Sequence, residues 1–186
     1  MRIIAGTARR LPLKTLEGNH TRPTTDRIKE TLFNMLQFDI PGCNFLDLFA
    51  GSGQIGLEAL SRGAASAVFV DNNKKACTCI EENIRFTHFE KKSKLLSMEA
   101  IPALRSMEGK YSFDYIYMDP PYGQEYEKNV IAYLANSELL KPETTLIVEA
   151  SLDTDFSYAA DIGFQILKEK KYKTNQHVFL TKQKRP

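Results

Sequence analysis

The sequence predicts an α/β protein whose strands form a mainly parallel sheet. From residue 43 onward, short apolar runs alternate with segments of helical periodicity, which is the pattern of repeated strand–helix–strand units. Two β-prone runs near the carboxyl end, 164–171 and 176–181, lie too close together for a helix between them. We therefore expect parallel strands that are closed by an antiparallel pair.

An amino-terminal extension, residues 1–40, precedes the sheet. Residues 2–15 indicate two short basic strands around a turn near Gly6–Arg9, which would form a hairpin. Segment 21–26 then offers Thr and Asp side chains that can cap a helix, and apolar residues recur at helical spacing to about Phe38. The extension is thus predicted to be a hairpin followed by one amphipathic helix.

The core of the domain is predicted to occupy residues 41–186. Its strands are expected near 44–49, 66–71, 94–99, 113–118 and 144–149. Its helices are expected near 54–62, 73–87, 100–107, 124–136 and, on the weakest pattern, 154–161. A chain of 186 residues with 42% hydrophobic content can bury one sizeable core but is short for two, so we expect a single domain over 1–186.

The charges are segregated along the chain, although the net charge is only +2. Residues 1–30 carry seven basic and three acidic side chains, a net of +4, and residues 168–186 carry seven basic and one acidic, a net of +6. Basic ends suit a polyanion such as nucleic acid, because each neutralised phosphate releases counterions. A solvated tail and an ordinary charged surface would give the same composition.

Composition also excludes several classes of protein. The first residues lack the apolar stretch of a secretory leader, and no segment approaches the roughly 20 apolar residues that cross a bilayer. Cys43, Cys77 and Cys79 are odd in number and form no paired CxxC sets, so we expect reduced thiols without a disulfide framework or a metal site. The sequence predicts a soluble cytoplasmic protein that does not contact membranes.

A glycine-rich loop follows the first predicted strand. Segment 47–56, DLFAGSGQIG, has the spacing GxGxxG at Gly51, Gly53 and Gly56, which allows a tight turn and the close approach of a ligand. Asp71 ends the next strand, where its carboxylate can bind ribose hydroxyls. These features alone fit NAD as well as S-adenosylmethionine, so a nicotinamide-dependent oxidoreductase stays open.

Asp47, directly before this loop, favours S-adenosylmethionine. A carboxylate here can meet the cationic methionine end of that cofactor but would repel a pyrophosphate. The alternative is that Asp47 only bonds to a turn or caps a helix, and in that case it does not distinguish the two cofactors.

The segment 113–123, FDYIYMDPPYG, places an acid, two prolines and an aromatic residue at the end of a predicted strand. An exocyclic amino nitrogen is a poor nucleophile, because its lone pair is delocalised into the ring. Hydrogen bonds to the Asp119 carboxylate and the Pro120 carbonyl would favour a pyramidal nitrogen and aim the lone pair at a methyl group. Pro121 stiffens the turn and Tyr122 can stack on a base. The motif predicts amino-methyl transfer, with a stiffened turn and a packed tyrosine as the structural alternative.

Both motifs, together with MRIIAGTARR and TRPTTDRIKETLFNML, resemble the RsmD family, bacterial methyltransferases that modify guanine N2 in small-subunit ribosomal RNA. The resemblance is distinctive from Met1 to about Gly123. It implies a Rossmann-like S-adenosylmethionine-dependent methyltransferase fold with a mainly parallel seven-stranded sheet, an antiparallel last strand, and an amino-terminal β-hairpin and helix. It also implies ribosomal RNA in a partly assembled small subunit as the partner, and we expect a monomer.

The resemblance assigns roles by motif position. The implied cofactor contacts are Asp47, Phe49, Gly51, Gly53, Asp71, Asn72, Glu99, Ala100 and Asp119. The implied catalytic residues are Asp119, Pro120, Pro121 and Tyr122. Thr25, Asp26 and Arg27 are expected to line the cofactor or base pocket, unless they only cap a helix. The expected RNA contacts are Arg2, Arg9, Arg10, Arg22 and Arg27.

Some choices stay open from the residues alone. The family pattern usually has a small residue at Gln54 and Tyr-Gly where this chain has Tyr172–Lys173. The DPPY motif suits adenine N6 in DNA or RNA as well as guanine, and a non-catalytic RNA-binding module is a further alternative. His20, His88 and His177 show no evident catalytic pairing and are expected to be surface or packing residues.

Overall fold

The computed structural model describes residues 1–16 and 25–183, and its central feature is a seven-stranded sheet. The strands are β1 (Asn44–Leu48), β2 (Ser66–Asp71), β3 (Ser93–Ser97), β4 (Phe113–Met118), β5 (Leu140–Ser151), β6 (Phe164–Lys171) and β7 (Asn175–Lys182). Their order is β3-β2-β1-β4-β5-β7-β6, and β7 is antiparallel to both of its neighbours. This confirms the predicted sheet. The order reverses between β1 and β4, and ligands of open parallel sheets bind at such a point.

Helices cover both faces of the sheet. They are α1 (Asp26–Leu36), α2 (Gln54–Ser61), α3 (Lys74–Phe86), α4 (Ala100–Met107) and α5 (Tyr126–Leu134). One core contains apolar residues of α1, α2 and α3, and the other contains those of α4 and α5. In the described part of the chain no helix is long and apolar enough to span a bilayer.

The weakly predicted helix at 154–161 is wrong. Only a single 3₁₀ turn forms there, at Ser157–Ala159. Asp155 accepts hydrogen bonds from both the backbone N–H and the hydroxyl of Ser157, at 2.8 and 2.7 Å. Such local side-chain bonds offer the backbone an alternative to a regular helix.

The predicted amino-terminal hairpin is present in short form. An antiparallel bridge joins Arg2 and Pro12. The Ile3 N–H donates to the Leu11 carbonyl at 3.0 Å, and the Leu13 N–H donates to the Met1 carbonyl at 3.1 Å. The backbone of the arm is also bonded to α2, at positions that do not take part in this pairing. Glu58 accepts from the N–H groups of Ile4 and Ala5, at 2.8 and 3.0 Å. Backbone donors that are satisfied in this way are withdrawn from strand pairing.

A buried ion pair joins α1 to α2 at the same Glu58 side chain. The Lys29 ammonium of α1 and the Glu58 carboxylate of α2 are both fully buried, with 3.8 Å between Nζ and Oε2. Lys29 also donates to the Arg2 carbonyl at 2.6 Å and to Gln54 at 3.3 Å. Gln54 therefore serves the attachment of the amino-terminal extension, which explains a long side chain at this position.

Candidate active site

The two predicted motif loops lie side by side at the carboxyl edge of the sheet. Leu48, the last residue of β1, pairs with Met118, the last residue of β4. The Asp119 N–H donates to the Leu48 carbonyl at 3.5 Å, and the rings of Phe49 and Tyr126 are 5.8 Å apart. A ligand bound by the glycine loop would therefore border the DPPY turn.

The glycine loop has the conformation that its sequence predicts. Gly51 and Gly53 have φ of 59° and 78°, and Phe49 adopts a φ of 59° without being glycine. Positive φ at an aromatic residue is strained, and such strain concentrates at functional sites. At Gly56 an added Cβ would lie 2.3 Å from the Phe69 ring, so only glycine lets α2 pack this closely on β2.

Asp47 lies beneath the loop and is 1% exposed. Its carboxylate accepts a hydrogen bond from the Gly56 N–H at 2.9 Å. Burial raises the pKa of Asp47 to about 8, and the charge of Asp71 adds to this, whereas the bond from Gly56 opposes it. A nearby ligand cation would favour the ionised form of this carboxyl group.

The remaining candidate cofactor contacts follow β2 and β3 along the same edge. Asp71 accepts hydrogen bonds from the N–H groups of Gly51 and Asn73, both at 2.9 Å, and so ties the glycine loop to β2. Asn72 and Glu99 are exposed, and Glu99 precedes α4 without capping it through its side chain. Ala100 begins α4. The row of candidates extends from β1 across β2 to β3, long enough for an extended ligand.

The DPPY turn presents its acid beside Asp47. Burial raises the pKa of Asp119 well above its usual range, and the charges of Glu149 and Asp47 raise it further. Asp119 keeps part of its surface accessible, Pro120 is buried, and Pro121 is exposed. Tyr122, which follows the two prolines, is 47% exposed.

Glu149 and His177 were missed as part of this site. His177 is fully buried, and its Nε2 lies 3.3 Å from the Glu149 carboxylate. The prediction that His177 is a packing residue is compatible with its burial, but it overlooked this contact. The one sequence signal was an acid within the apolar run 146–150, LIVEA.

The candidate RNA-binding arginines lie on the arm and on α1. Arg9 and Arg10 are exposed at the turn of the arm, Arg27 is exposed on α1, and Arg2 pairs with Asp26 at 3.2 Å. Arg22 lies outside the described residues.

The helix-capping interpretation holds for one residue of the 25–27 group. Thr25 caps α1 by accepting from the Ile28 N–H at 3.3 Å. Across residues 1–16 and 25–183, no group of three or more metal-ligating side chains could hold an ion.

Comparisons with known proteins decide the family. The family model described as Conserved hypothetical protein 95 matches residues 1–181. Ribosomal RNA small subunit methyltransferase D of Haemophilus influenzae is 34% identical over 154 residues, which are 82% of this chain and 80% of that protein. The chain belongs to the RsmD family. Putative rRNA methyltransferase YlbH of Bacillus subtilis is 35% identical over 150 residues, 80% of this chain and 82% of that protein.

A solved structure agrees with this RsmD assignment. The putative methyltransferase yhhF from Escherichia coli superimposes with a TM-score of 0.87 at 28% identity, and the match covers 100% of this chain and 99% of that one. The chain therefore has the fold of S-adenosylmethionine-dependent methyltransferases, as predicted. The methyltransferase prediction is confirmed in preference to the oxidoreductase and the non-catalytic module.

The raised pKa of Asp47 leads to a calorimetric prediction. At pH 7 this carboxyl group is mostly protonated in the free protein, and the ammonium group of S-adenosylhomocysteine would favour its ionised form. We expect binding to release about one proton, seen as a binding enthalpy that differs between phosphate and Tris buffers.

The matched variant is Asp47→Asn, which keeps an acceptor for the Gly56 N–H but cannot ionise. Its proton release should fall. Because the folded-state pKa is raised, Asp47 also lowers the free energy of unfolding as pH rises from about 4 to about 8, and the variant should lose that dependence. Equal proton release by both proteins would show that Asp47 does not meet the ligand.

Proposed function

We propose that this protein transfers a methyl group from S-adenosylmethionine to the exocyclic N2 amino group of a guanine in small-subunit (16S) ribosomal RNA. The observation that carries the proposal is the adjacency of two loops: the loop that follows Asp47 and the turn at Asp119 leave neighbouring strands. Membership of the RsmD family supports the choice of ribosomal RNA, because relatives carry that substrate in their names.

In the proposed complex, each residue binds or orients one group. Asp47 meets the methionine ammonium, and the loop of Phe49, Gly51 and Gly53 lies against the cofactor. Asp71 and Asn72 would accept hydrogen bonds from the ribose hydroxyls of the cofactor. Glu99 and Ala100 would lie beside its adenine. When bound, S-adenosylmethionine supplies an electrophilic methyl group on a sulfonium, so the protein itself has to position the amine.

The acceptor amine is placed by the DPPY turn. The Asp119 carboxylate and the Pro120 carbonyl accept hydrogen bonds from the two N2 hydrogens, which leaves the nitrogen lone pair directed at the methyl group. Pro121 holds the turn, and Tyr122 stacks on the guanine. The substitution is a direct in-line displacement that needs no metal.

The proposed substrate is a guanine in an unpaired loop of a partly assembled small subunit. Unstacking such a base costs less free energy than unstacking a base within a duplex. We further propose that the chain acts as a cytoplasmic monomer with one methyltransferase domain, in which residues 1–40 extend the core 41–186. Both basic ends of the chain would contact RNA phosphates.

The decisive assay transfers labelled methyl groups to immature small subunits and then identifies the modified nucleoside. N2-methylguanosine supports the proposal. N6-methyladenosine would select the adenine alternative, which the DPPY chemistry also allows. Transfer to neither base would refute nucleic-acid methylation by this site.

Charge reversal at the tip of the arm tests the RNA-binding role. In Arg9→Glu/Arg10→Glu we expect weaker binding to small-subunit RNA and a slope of log K against log salt that is lower by about two, since two phosphate contacts are lost. The affinity for S-adenosylhomocysteine should not change.

The matched control is Lys91→Glu/Lys92→Glu. These residues are also exposed and basic, but they directly precede β3 and so lie at the opposite edge of the sheet from the candidate site. RNA affinity that is reduced equally by both pairs of substitutions would remove the arm from the mechanism.

A further inference from the structure

A buried cluster surrounds Glu149 next to the candidate active site. Its carboxylate accepts hydrogen bonds from the Tyr117 hydroxyl and from Asn175 Nδ2, both at 2.6 Å, and contacts His177 Nε2 at 3.3 Å. Tyr172 continues the cluster, with its hydroxyl 3.4 Å from His177 Nδ1. None of these residues has a role in the mechanism proposed above.

The register of the sheet places this cluster against Asp119. Tyr117 pairs with Ile147 and Met118 pairs with Val148, so the next residues in order are Asp119 and Glu149. Side chains alternate along strands, and Tyr117 and Ile147 belong to the same core. The two carboxyl groups therefore project to the same face of neighbouring strands, which lie about 4.8 Å apart.

Glu149 and Asp119 have opposite pKa shifts. Burial by itself would raise the pKa of Glu149, but the hydrogen bond and the charge of His177, together with the hydrogen bonds from Tyr117 and Asn175, outweigh it and hold the pKa below its ordinary value. Glu149 is thus a fixed negative charge. It acts on Asp119, whose own pKa is raised by burial, by Glu149 and by Asp47.

The titratable groups around Asp119 come from five strands. Asp47 on β1 and Glu149 on β5 are the acids that act on it directly, and Asp71 on β2 acts on Asp47. The Tyr117 hydroxyl on β4 is bonded to Glu149, and burial raises its pKa well above the usual range. His177 on β7 is in contact with Glu149 rather than with Asp119.

We propose that Glu149 is a positioning residue that acts through Asp119, because its locked negative charge makes the Asp119 carboxylate a stronger acceptor for the amino group. The inference rests on the proposed methyl transfer. In that step the nitrogen–carbon bond forms as the carbon–sulfur bond breaks, and the bonding pair remains on the neutral sulfur. One proton of the methylated amine then moves to Asp119, which a neighbouring negative charge favours.

The first test is the pH profile of Glu149→Gln, which keeps the shape of the side chain but removes its charge. With saturating S-adenosylmethionine, kcat/KM of the wild type should fall towards acid pH as Asp119 takes up a proton. The variant should be slower than the wild type on the alkaline side of the profile but lose less activity on acidification, so its acid limb should lie at lower pH than that of the wild type. A purely structural role predicts the same relative loss at every pH, and that result would overturn the proposal.

Asp114→Asn is the matched control. It removes one negative charge from the same strand as Tyr117, five residues from Asp119 and thus roughly 16 Å along the chain. Asp114 pairs with Lys141 at 2.7 Å, away from the candidate site. The acid limb of the kcat/KM profile of Asp114→Asn should coincide with that of the wild type. A shift like that of Glu149→Gln would also contradict the proposal.

The second test needs no substitution at position 149 and no turnover. Carbon-13 NMR of wild-type protein labelled on its carboxyl carbons follows the ionisation of both acids, with Asp119 assigned through Asp119→Asn and Glu149 through its contacts to the Tyr117 and His177 rings. Glu149 should ionise at a lower pH than Asp119, and the reverse order would overturn the proposal. Failure to methylate any RNA would instead refute the proposed function, so the two failures are distinguishable.

Discussion

Replacement of Asp119 by alanine is expected to leave a folded protein that binds S-adenosylhomocysteine but turns over at least about a hundredfold more slowly. The loss arises because the amino group would keep only the Pro120 carbonyl as an acceptor and would no longer be held in line with the methyl group. Single-turnover transfer of labelled methyl groups to immature small subunits measures this step.

The binding measurement distinguishes lost positioning from a lost site. Asp47 and Asp71 remain in Asp119→Ala, so the affinity for S-adenosylhomocysteine should be largely retained. The free energy of unfolding at neutral pH should not fall. The substitution removes a carboxyl group whose ionised form is disfavoured by burial and by the charges of Glu149 and Asp47. Near-normal methyl transfer would refute the role of Asp119.

Replacement of Glu58 by alanine is expected to lower the free energy of unfolding by about 3–5 kcal/mol, because it leaves a buried charge without its partner. Burial already lowers the pKa of Lys29, and Glu58 is the main charge that opposes this shift. The N–H groups of Ile4 and Ala5 and the Arg62 guanidinium would also lose their acceptor. Urea unfolding followed by circular dichroism measures the change.

Glu82→Ala is the matched control for this second prediction. Glu82 also pairs with a lysine, Lys14, at 2.8 Å, but the two side chains are 43% and 65% exposed, respectively. Exposed pairs contribute about 0–1 kcal/mol, so this variant should be nearly as stable as the wild type. Similar losses in both variants would contradict the role assigned to the buried pair.

The parts of the fold that the sequence predicted well depend on local patterns. Strands β1, β2 and β4 are short apolar runs, each followed directly by a turn or a polar residue, so their bounds could be predicted to within one residue. The glycine loop and the DPPY turn were predicted for the same reason. Each is specified by a few consecutive residues whose conformations leave few alternatives.

The missed features depend on residues that are far apart in the chain. The hairpin of the arm was predicted, but the hydrogen bonds from its backbone to Glu58, more than 50 residues away, were not. Glu149 is joined to Tyr117 and His177, which are 32 and 28 residues distant, by the order of strands in the sheet. No local pattern specifies such contacts, and those of Glu149 emerge only once β4 and β7 are known to be the neighbours of β5.

The most direct test of the account is a crystal structure with sinefungin, an analogue in which an amino group replaces the transferable methyl. We expect its amino-acid end beside Asp47, and the nitrogen that replaces the transferable methyl at about 3 Å from the Asp119 carboxylate or the Pro120 carbonyl. Sinefungin bound with that amine directed away from the DPPY turn, or bound at another edge of the sheet, would contradict the proposed methyl transfer.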